Sequence, residues 1–296
     1  MSQDDKSSVE DSMYDESWIK KAWGDSTEEF IKHAGRMVRP RVQRAMDIAE
    51  LSPGMDVLDI GCGRGEVVFY CAGLGCRATG VDYSTDVISI AKQARENFHT
   101  ESGGEAVFLL GDVNTIDLEP ESFDRIFLLD VVEHLHDWQL VPLYQTIHRL
   151  LKKDGRFIIH TLPNRWIYKT YGLIRLFMPW LEKNPRSEYE KKIHINEQSC
   201  ISVRKLLEEC HFHCRVRIEE GFLAQAQWYK NNTFGDRRDR LYRILRNPLI
   251  RAVVRLIALT PLRLFVLNDI YSVAAKSPEA LARSGFRKGF FESMLS

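Results

Sequence analysis

The chain has no charge surplus to offer a polyanion: among its 296 residues, lysine plus arginine and aspartate plus glutamate stand at 41 each. No global attraction to nucleic acid follows, although the balance hides an acidic amino end and a basic stretch near residue 240. Cysteine is sparse. The six thiols, at 62, 71, 76, 200, 210 and 214, form no C-x-x-C pair, and Cys62 lies in a glycine turn where a disulfide would be awkward. A reducing cytosol fits best. No apolar leader opens the chain, since residues 1–12 are polar and acidic, so no signal peptide is expected. Nor is there a clean run of membrane-spanning length: the most apolar late stretch, 249–267, is broken by Arg251, Arg255, Pro261 and Arg263. Internal repeats and low-complexity tracts are missing too. What remains, 44% hydrophobic and 28% charged, is ordinary for a globular chain long enough for one large α/β domain with insertions.

The most informative stretch present is Val57-Leu58-Asp59-Ile60-Gly61-Cys62-Gly63-Arg64-Gly65-Glu66. An apolar strand ends in an acid, glycines follow on alternate positions, and a helical pattern begins. Without Cβ atoms, Gly61 and Gly63 permit a tight turn and let a ligand lie against the backbone. The N–H groups opening the next helix face the same ligand, while Gly65 is placed for close helix–strand packing. A second strand ends at Thr79-Gly80-Val81-Asp82, 21 residues beyond Gly61, where a βαβ unit places its ribose-binding acid. Strands are expected over 55–60, 78–82, 107–110, 124–129 and 156–161, with helices over 38–50, 66–74 and 84–98, the last capped by Ser84. A helix capped by Ser199, a strand over 212–219 and a last strand over 270–275 follow. The alternation predicts an α/β, doubly wound, mainly parallel sheet.

These residues resemble the class I S-adenosylmethionine-dependent methyltransferases. The Gly61-Cys62-Gly63-Arg64-Gly65 spacing behind Asp59 is closer to that family's first motif than to the dinucleotide G-x-G-x-x-G pattern. Similarity continues through Leu110-Gly111-Asp112-Val113, through Phe123 to Leu135, and through Leu150 to Phe157, covering about residues 37–162. The resemblance implies a Rossmann-like methyltransferase fold with an antiparallel last strand and helical insertions, spanning 17–276. Residues 1–16 read as a mobile acidic amino terminus and 277–296 as a loose tail. It also implies S-adenosyl-L-methionine as cofactor, held by Asp59, Gly61, Cys62, Gly63, Asp82, Tyr83, Asp112, Val113 and Asp130. Asp82 is expected to bridge the ribose hydroxyls, Tyr83 to cover one adenine face, and Asp112 to accept from the exocyclic amine. Asp59 is expected to order the turn and the methionyl amino group.

Transfer to a hydroxyl requires the acceptor to be held in line with the carbon–sulfur bond, and benefits from a base, usually histidine. His134 follows the fourth strand, His160 ends the fifth, and His194 lies in Lys192-Ile193-His194-Ile195-Asn196-Glu197. These are the candidate catalytic residues; His134 reads equally well as a structural turn residue. Asp130-x-x-Glu133-His134 also resembles the E-x-x-E-H of ubiquinone-biosynthesis O-methyltransferases and small-RNA end methyltransferases, in which a divalent ion holds vicinal hydroxyls. Asp130 is one methylene shorter and a fourth ligand is not evident, so a metal is not the expectation. Cys210-His211-Phe212-His213-Cys214 looks metal-like, but strand alternation parts the cysteines from the histidines and predicts core packing.

Two insertions stand apart. Residues 163–198 are rich in aromatics from Trp166 to Trp180 and read as a lid on the acceptor side. Residues 223–267 place Arg237, Arg238, Arg240, Arg243, Arg246, Arg251, Arg255 and Arg263 within 27 positions, opposed only by Asp239, with aliphatic residues at helical spacing. A basic amphipathic helix reads as a membrane-surface element; the competing reading is a helix packed on its own domain with its arginines in water. Trp18 to Ile31 outline an amino-terminal helix that either covers the pocket or packs at the core edge. The leading expectation is a cytoplasmic enzyme, peripheral at the inner membrane face, methylating a hydroxyl of a small-molecule, glycan- or lipid-linked acceptor. Leu162-Pro163-Asn164-Arg165-Trp166 and His194 to Glu197 resemble methyltransferases associated with bacterial surface polysaccharides. The rivals are a quinone or phenol O-methyltransferase, a cofactor-binding scaffold without turnover, and a nicotinamide oxidoreductase, which the glycine spacing disfavours. RNA is disfavoured as an acceptor, because the arginines cluster with aliphatic rather than stacking aromatic residues.

Overall fold

In the computed structural model, residues 26–33, 38–177, 188–221 and 247–287 are described. A seven-stranded sheet runs in the order β3-β2-β1-β4-β5-β7-β6. Its strands are β1 (Asp56–Ile60), β2 (Arg77–Asp82), β3 (Glu105–Leu110), β4 (Phe123–Leu129), β5 (Leu151–Thr161), β6 (His213–Glu219) and β7 (Asp269–Ala275). The first five are parallel, and β7 runs antiparallel between β5 and β6. This is the doubly wound sheet with an antiparallel last strand that the sequence predicts. The strands read as continuous apolar runs because both faces are covered. Ile126, Leu128, Phe157 and Ile159 join one core layer, whereas Phe127 and Ile158, on the intervening positions, join the other.

Helices α1 (Ser26–Lys32), α2 (Pro40–Ala49), α3 (Glu66–Gly73) and α4 (Thr85–Glu96) pack on one face, through Phe30, Val42, Val67 and Ile88 among others. Helices α5 (Asp137–Leu150) and α8 (Cys200–Glu209) cover the other through Leu140, Tyr144, Val203 and Leu207. From β1 the chain winds outward to β2 and β3 with helices on the first face. It then returns to β4 and continues to β5 with α5 on the second. The direction of travel therefore reverses between β1 and β4, and in open α/β sheets ligands bind in the crevice outside such a switch point.

Several local expectations are met and a few corrected. Cys210, Phe212 and Cys214 are buried while His211 and His213 are exposed, as alternation predicts, and all six cysteines are buried and outside any disulfide. Ser199 caps α8 by accepting from the Ser202 N–H. Ser84 stands at the N-cap of α4, but its hydroxyl makes no cap bond; the Asp82 carboxylate accepts the Ser84 N–H instead, at 2.9 Å. β5 begins at Leu151, five residues early, where it pairs with Phe123 of β4 ahead of a register shift; Lys152 beside it binds Asp56 and Asp124 at 2.8 and 2.7 Å. Phe30 is fully buried under the Arg64 guanidinium and beside the Phe69 ring, so the described part of the amino-terminal helix packs at the core edge. Helices α6 (Arg165–Phe177) and α7 (Glu188–Ile193) belong to the first insertion, α9 (Pro248–Ala258) and α10 (Arg263–Val266) to the second. The acidic residues 1–16, Trp18, Trp23, Trp180 and the arginines from 237 to 246 lie outside the described residues.

The carboxyl end is a correction: through residue 287 it is packed rather than loose. Ser277 caps α11 (Pro278–Ala282), accepting the Ala280 N–H at 3.1 Å, and Ala280, Leu281 and Phe286 are buried. Arg215 donates to the carbonyls of Ser284 and Phe286, and Glu50 accepts the Gly285 N–H. The sequence reading missed this because so short a segment shows no periodicity. Phe286→Ala is expected to lower the unfolding free energy by about 3–5 kcal/mol in urea titrations. A loose tail would give a change within about 0.5 kcal/mol.

Candidate functional site

Gly61, Gly63 and Gly65 all adopt left-handed φ, of 70°, 53° and 95°. A Cβ on Gly61 would stand 2.5 Å from Val131 Cγ2, so the turn after β1 is pressed against the loop after β4. A Cβ on Gly65 would come within 2.6 Å of the Phe108 ring, the close packing that its spacing implied. Asp82 ties the turn together: Oδ2 accepts the Gly63 N–H at 3.0 Å while Oδ1 accepts that of Ser84. Tyr83 beside it is exposed. After β3, Asp112 accepts from the backbone and side-chain N–H groups of Asn114 at 2.9 and 3.0 Å, above the buried Val113. Cys62 packs its thiol on β2, where a Cβ on Gly80 would meet Sγ at 2.8 Å, so only its backbone remains for a ligand.

Asp59 is the telling residue. It is buried, and its carboxylate has no hydrogen-bond partner among the described residues. Burial, then the charges of Asp82 and Glu66, raise its pKa well above the usual carboxylate range. A crevice of glycine backbone edged by acids fits a ligand that brings a ribose and a positive charge.

Asp130 departs from the expected arrangement. Its backbone is left-handed, at φ 58°, and its carboxylate accepts from Arg41 Nε at 2.7 Å and from His160 Nδ1 at 2.5 Å. The other nitrogen of the buried His160 donates to the buried Asp269 at 3.2 Å. Burial alone would lower the histidine's pKa, but Asp130 and Asp269 raise it to about 9. Against burial, Arg41 and His160 in turn hold Asp130 well below the usual range. His160 is thereby removed from the candidate bases: both nitrogens carry protons and both donate to acids. Asp130 likewise leaves the E-x-x-E-H-like set, its carboxylate being drawn to Arg41 and His160. Nearby, Glu66 accepts from Arg39 at 3.0 Å and from the buried Arg64 at 2.8 Å.

On the acceptor side the structure unites residues that the sequence keeps 60 positions apart. His134 lies in a single 3-10 turn, Val132–His134, just after β4. Asn196 donates its N–H to the Glu133 carbonyl at 3.0 Å, and its amide donates to Leu135 O and Asp137 Oδ1, both at 2.8 Å. This brings His194 beside His134, with ring centroids 5.1 Å apart. The His134 Nδ1–H donates to Ile193 O at 2.9 Å, which leaves the lone pair on Nε2. Burial, then His194, lowers its pKa to about 4, so the ring is neutral at pH 7. Glu133 is buried and accepts from the Thr161 hydroxyl at 2.8 Å; burial, then Asp130, raises its pKa to about 8. The ligating atoms of Glu133, His134 and His194 lie within 4.8 Å of one another, a set that could hold a divalent ion once Glu133 ionises. Arg41, Thr161, Asn196 and Asp269 escaped the sequence reading. Only Asp269, an acid opening an apolar strand, left a local trace.

The buried histidine sets a pH dependence. Because its folded pKa is raised, the stability it contributes is complete below about pH 6.5 and is lost as pH rises through about 9. His160→Gln is expected to destabilise the protein by about 3–5 kcal/mol at pH 6, as when a buried pair is broken. The gap between variant and wild type should narrow toward pH 10 in urea titrations. A gap independent of pH would contradict a protonated His160.

Residues 58–159 match the family described as methyltransferase domain. The ubiquinone biosynthesis O-methyltransferase of Glaesserella parasuis serovar 5 is 36% identical over 125 residues, 41% of this chain and 50% of that protein. The cyclopropane-fatty-acyl-phospholipid synthase of Escherichia coli K12 is 31% identical over 117 residues, 39% of this chain and 28% of that protein. The chain thus spans half the length of the first relative and under a third of the second. Among solved structures, phosphoethanolamine N-methyltransferase 2 of Haemonchus contortus in complex with S-adenosyl-L-methionine gives a TM-score of 0.57 at 16% identity, over 92% of this chain and 61% of that one. That likeness is one of fold. Residues 58–159 thus carry a methyltransferase domain, set in the sheet order and behind the glycine turn that the resemblance to class I S-adenosylmethionine-dependent methyltransferases implies.

Proposed function

We propose that this protein transfers the methyl group of S-adenosyl-L-methionine to a hydroxyl of a glycan- or lipid-linked small acceptor. The observation that carries the choice of a hydroxyl is His134, a neutral imidazole whose Nδ1–H is held by the Ile193 carbonyl, next to the switch-point crevice. Gly61, Gly63, Asp82, Tyr83 and the Asp112–Val113 turn suit the nucleoside, and the unpartnered Asp59 suits a cationic amino-acid end. The bound cofactor supplies an electrophilic methyl on a positively charged sulfur. Glu133, protonated at pH 7, donates a hydrogen bond to an acceptor oxygen and orients it. His134 Nε2 takes the hydroxyl proton as the C–O bond forms and the C–S pair returns to sulfur. The acceptor oxygen is strongly acidic at that stage, so a base with a depressed pKa serves.

A second reading is favoured by the 36% identity to a ubiquinone biosynthesis O-methyltransferase. Here the acceptor is a phenol or quinol with vicinal hydroxyls, gripped by a divalent ion on Glu133, His134 and His194. Chelation separates the two: metal-free protein keeps its activity in the first reading and loses it in the second.

Extracts incubated with the protein and labelled cofactor should yield a lipid or glycan heavier by one CH2. With that acceptor, His134→Ala is expected to lower kcat about 10²–10⁴-fold. Its affinity for S-adenosylhomocysteine should be unchanged by calorimetry. Full activity of the variant would exclude His134 as base, and cofactor binding with no product from any extract would favour the scaffold reading.

A further inference from the structure

Helices α6, α9 and α10 present exposed apolar side chains that are left uncovered among the described residues. Leu249, Val253 and Leu256 follow one stripe of α9 and are 76%, 54% and 63% exposed; Leu259, at 75%, extends it. Alongside, Leu173 and Leu176 of α6 are 59% and 75% exposed. Of the fourteen large apolar side chains exposed among the described residues, eight lie on these three helices and the turn joining α9 to α10, a concentration beyond ordinary scatter. Helices α6 and α10 are joined directly. The Thr170 hydroxyl donates to Phe265 O at 2.9 Å, and the Trp166 and Phe265 rings meet edge to face at 5.6 Å.

Charge says which partner fits. From Asn247 to Asn268 the sequence holds Arg251, Arg255 and Arg263 and no acid. Arg251 and Arg255, one turn apart, flank the apolar stripe and form no ion pair among the described residues. Aliphatic side chains beside uncompensated cations match a surface of acyl chains under anionic headgroups. A second copy of this chain would instead set arginines against arginines. At 11 residues α9 is too short to cross a bilayer, and no described helix is long and apolar enough to do so, so it would lie in the interface plane. The face is also rooted beside the acceptor site. The Asn164 amide donates to Leu264 O and Leu267 O at 2.9 Å, three residues beyond Thr161, which donates to Glu133.

We propose that the α6–α9–α10 face docks on an anionic lipid bilayer and so brings the acceptor site to lipid-borne substrate. The docking stands on this surface alone; only the delivery of substrate rests on the methyltransferase reading. The test is flotation of the full chain with phosphatidylcholine vesicles, with and without phosphatidylglycerol, alongside thermal shift with S-adenosylhomocysteine. The wild type should float with the anionic vesicles, far less with the neutral ones, and less at high salt. The pairs Val253→Asp with Leu256→Asp and Arg251→Glu with Arg255→Glu should each reduce bound protein at least tenfold, as exposed-surface changes that keep the cofactor shift. No flotation, undiminished flotation of both variants, or a concentration-dependent dimer that Val253→Asp with Leu256→Asp dissolves would overturn the docking surface. Loss of the cofactor shift in the wild type would instead sink the function proposed above and leave the vesicle result standing.

Discussion

Asp59, Asp82 and Asp130 stand at or just beyond the carboxyl ends of strands β1, β2 and β4, which flank the switch point, and the chain disposes of each differently. Buried or half-buried carboxylates cannot remain ionised without compensation, least of all Asp59 beside Asp82. Asp82 spreads its charge over two backbone N–H groups, those of Gly63 and Ser84. Asp130 is neutralised by Arg41 and His160. Asp59 alone is left without a partner, and its raised pKa records the cost. A crevice with one unanswered acid, floored by glycine backbone, is complementary to a cation. This complementarity, more than any single contact, suits the crevice to a sulfonium cofactor.

The compensated acids shape the acceptor side. Arg41, Asp130, His160 and Asp269 tie α2, β4, β5 and β7 into one buried array, and the Tyr271 hydroxyl donates to the carbonyl of Arg41. Asp130 accepts a left-handed backbone to take part, the kind of local strain that gathers at functional sites. Burial, and then the ionised Asp130, push the neighbouring Glu133 toward its neutral form. Two carboxyls three residues apart are thus driven to opposite protonation states, one structural and one able to donate a hydrogen bond. His134 and His194 complete a polar cluster with Glu133, which Thr161 and Asn196 hold by hydrogen bonds to its side chain and its carbonyl.

The glycine turn, the strand-ending acids and the alternation of strands with helices were legible in the sequence because each is a local pattern. Gly61, Gly63, Asp82 and Asp112 lie where their spacing places them. Cys210 to Cys214 behaves as period-two alternation requires, against its metal-like appearance. The ion array was not legible, since its members come from residues 41, 130, 160 and 269 and only the closed sheet brings them together. For the same reason His160 looked like a base when it is a buried cation. His134 and His194 looked like rivals when they are neighbours. The carboxyl-terminal cap was hidden because five helical residues hold too little pattern to reveal a packed face.

Calorimetric titration with S-adenosyl-L-methionine tests the complementarity of Asp59 and the cofactor most directly. In Asp59→Asn the affinity should fall at least tenfold, while NAD gives no heat with either protein. Binding of equal strength by Asp59→Asn would contradict the account.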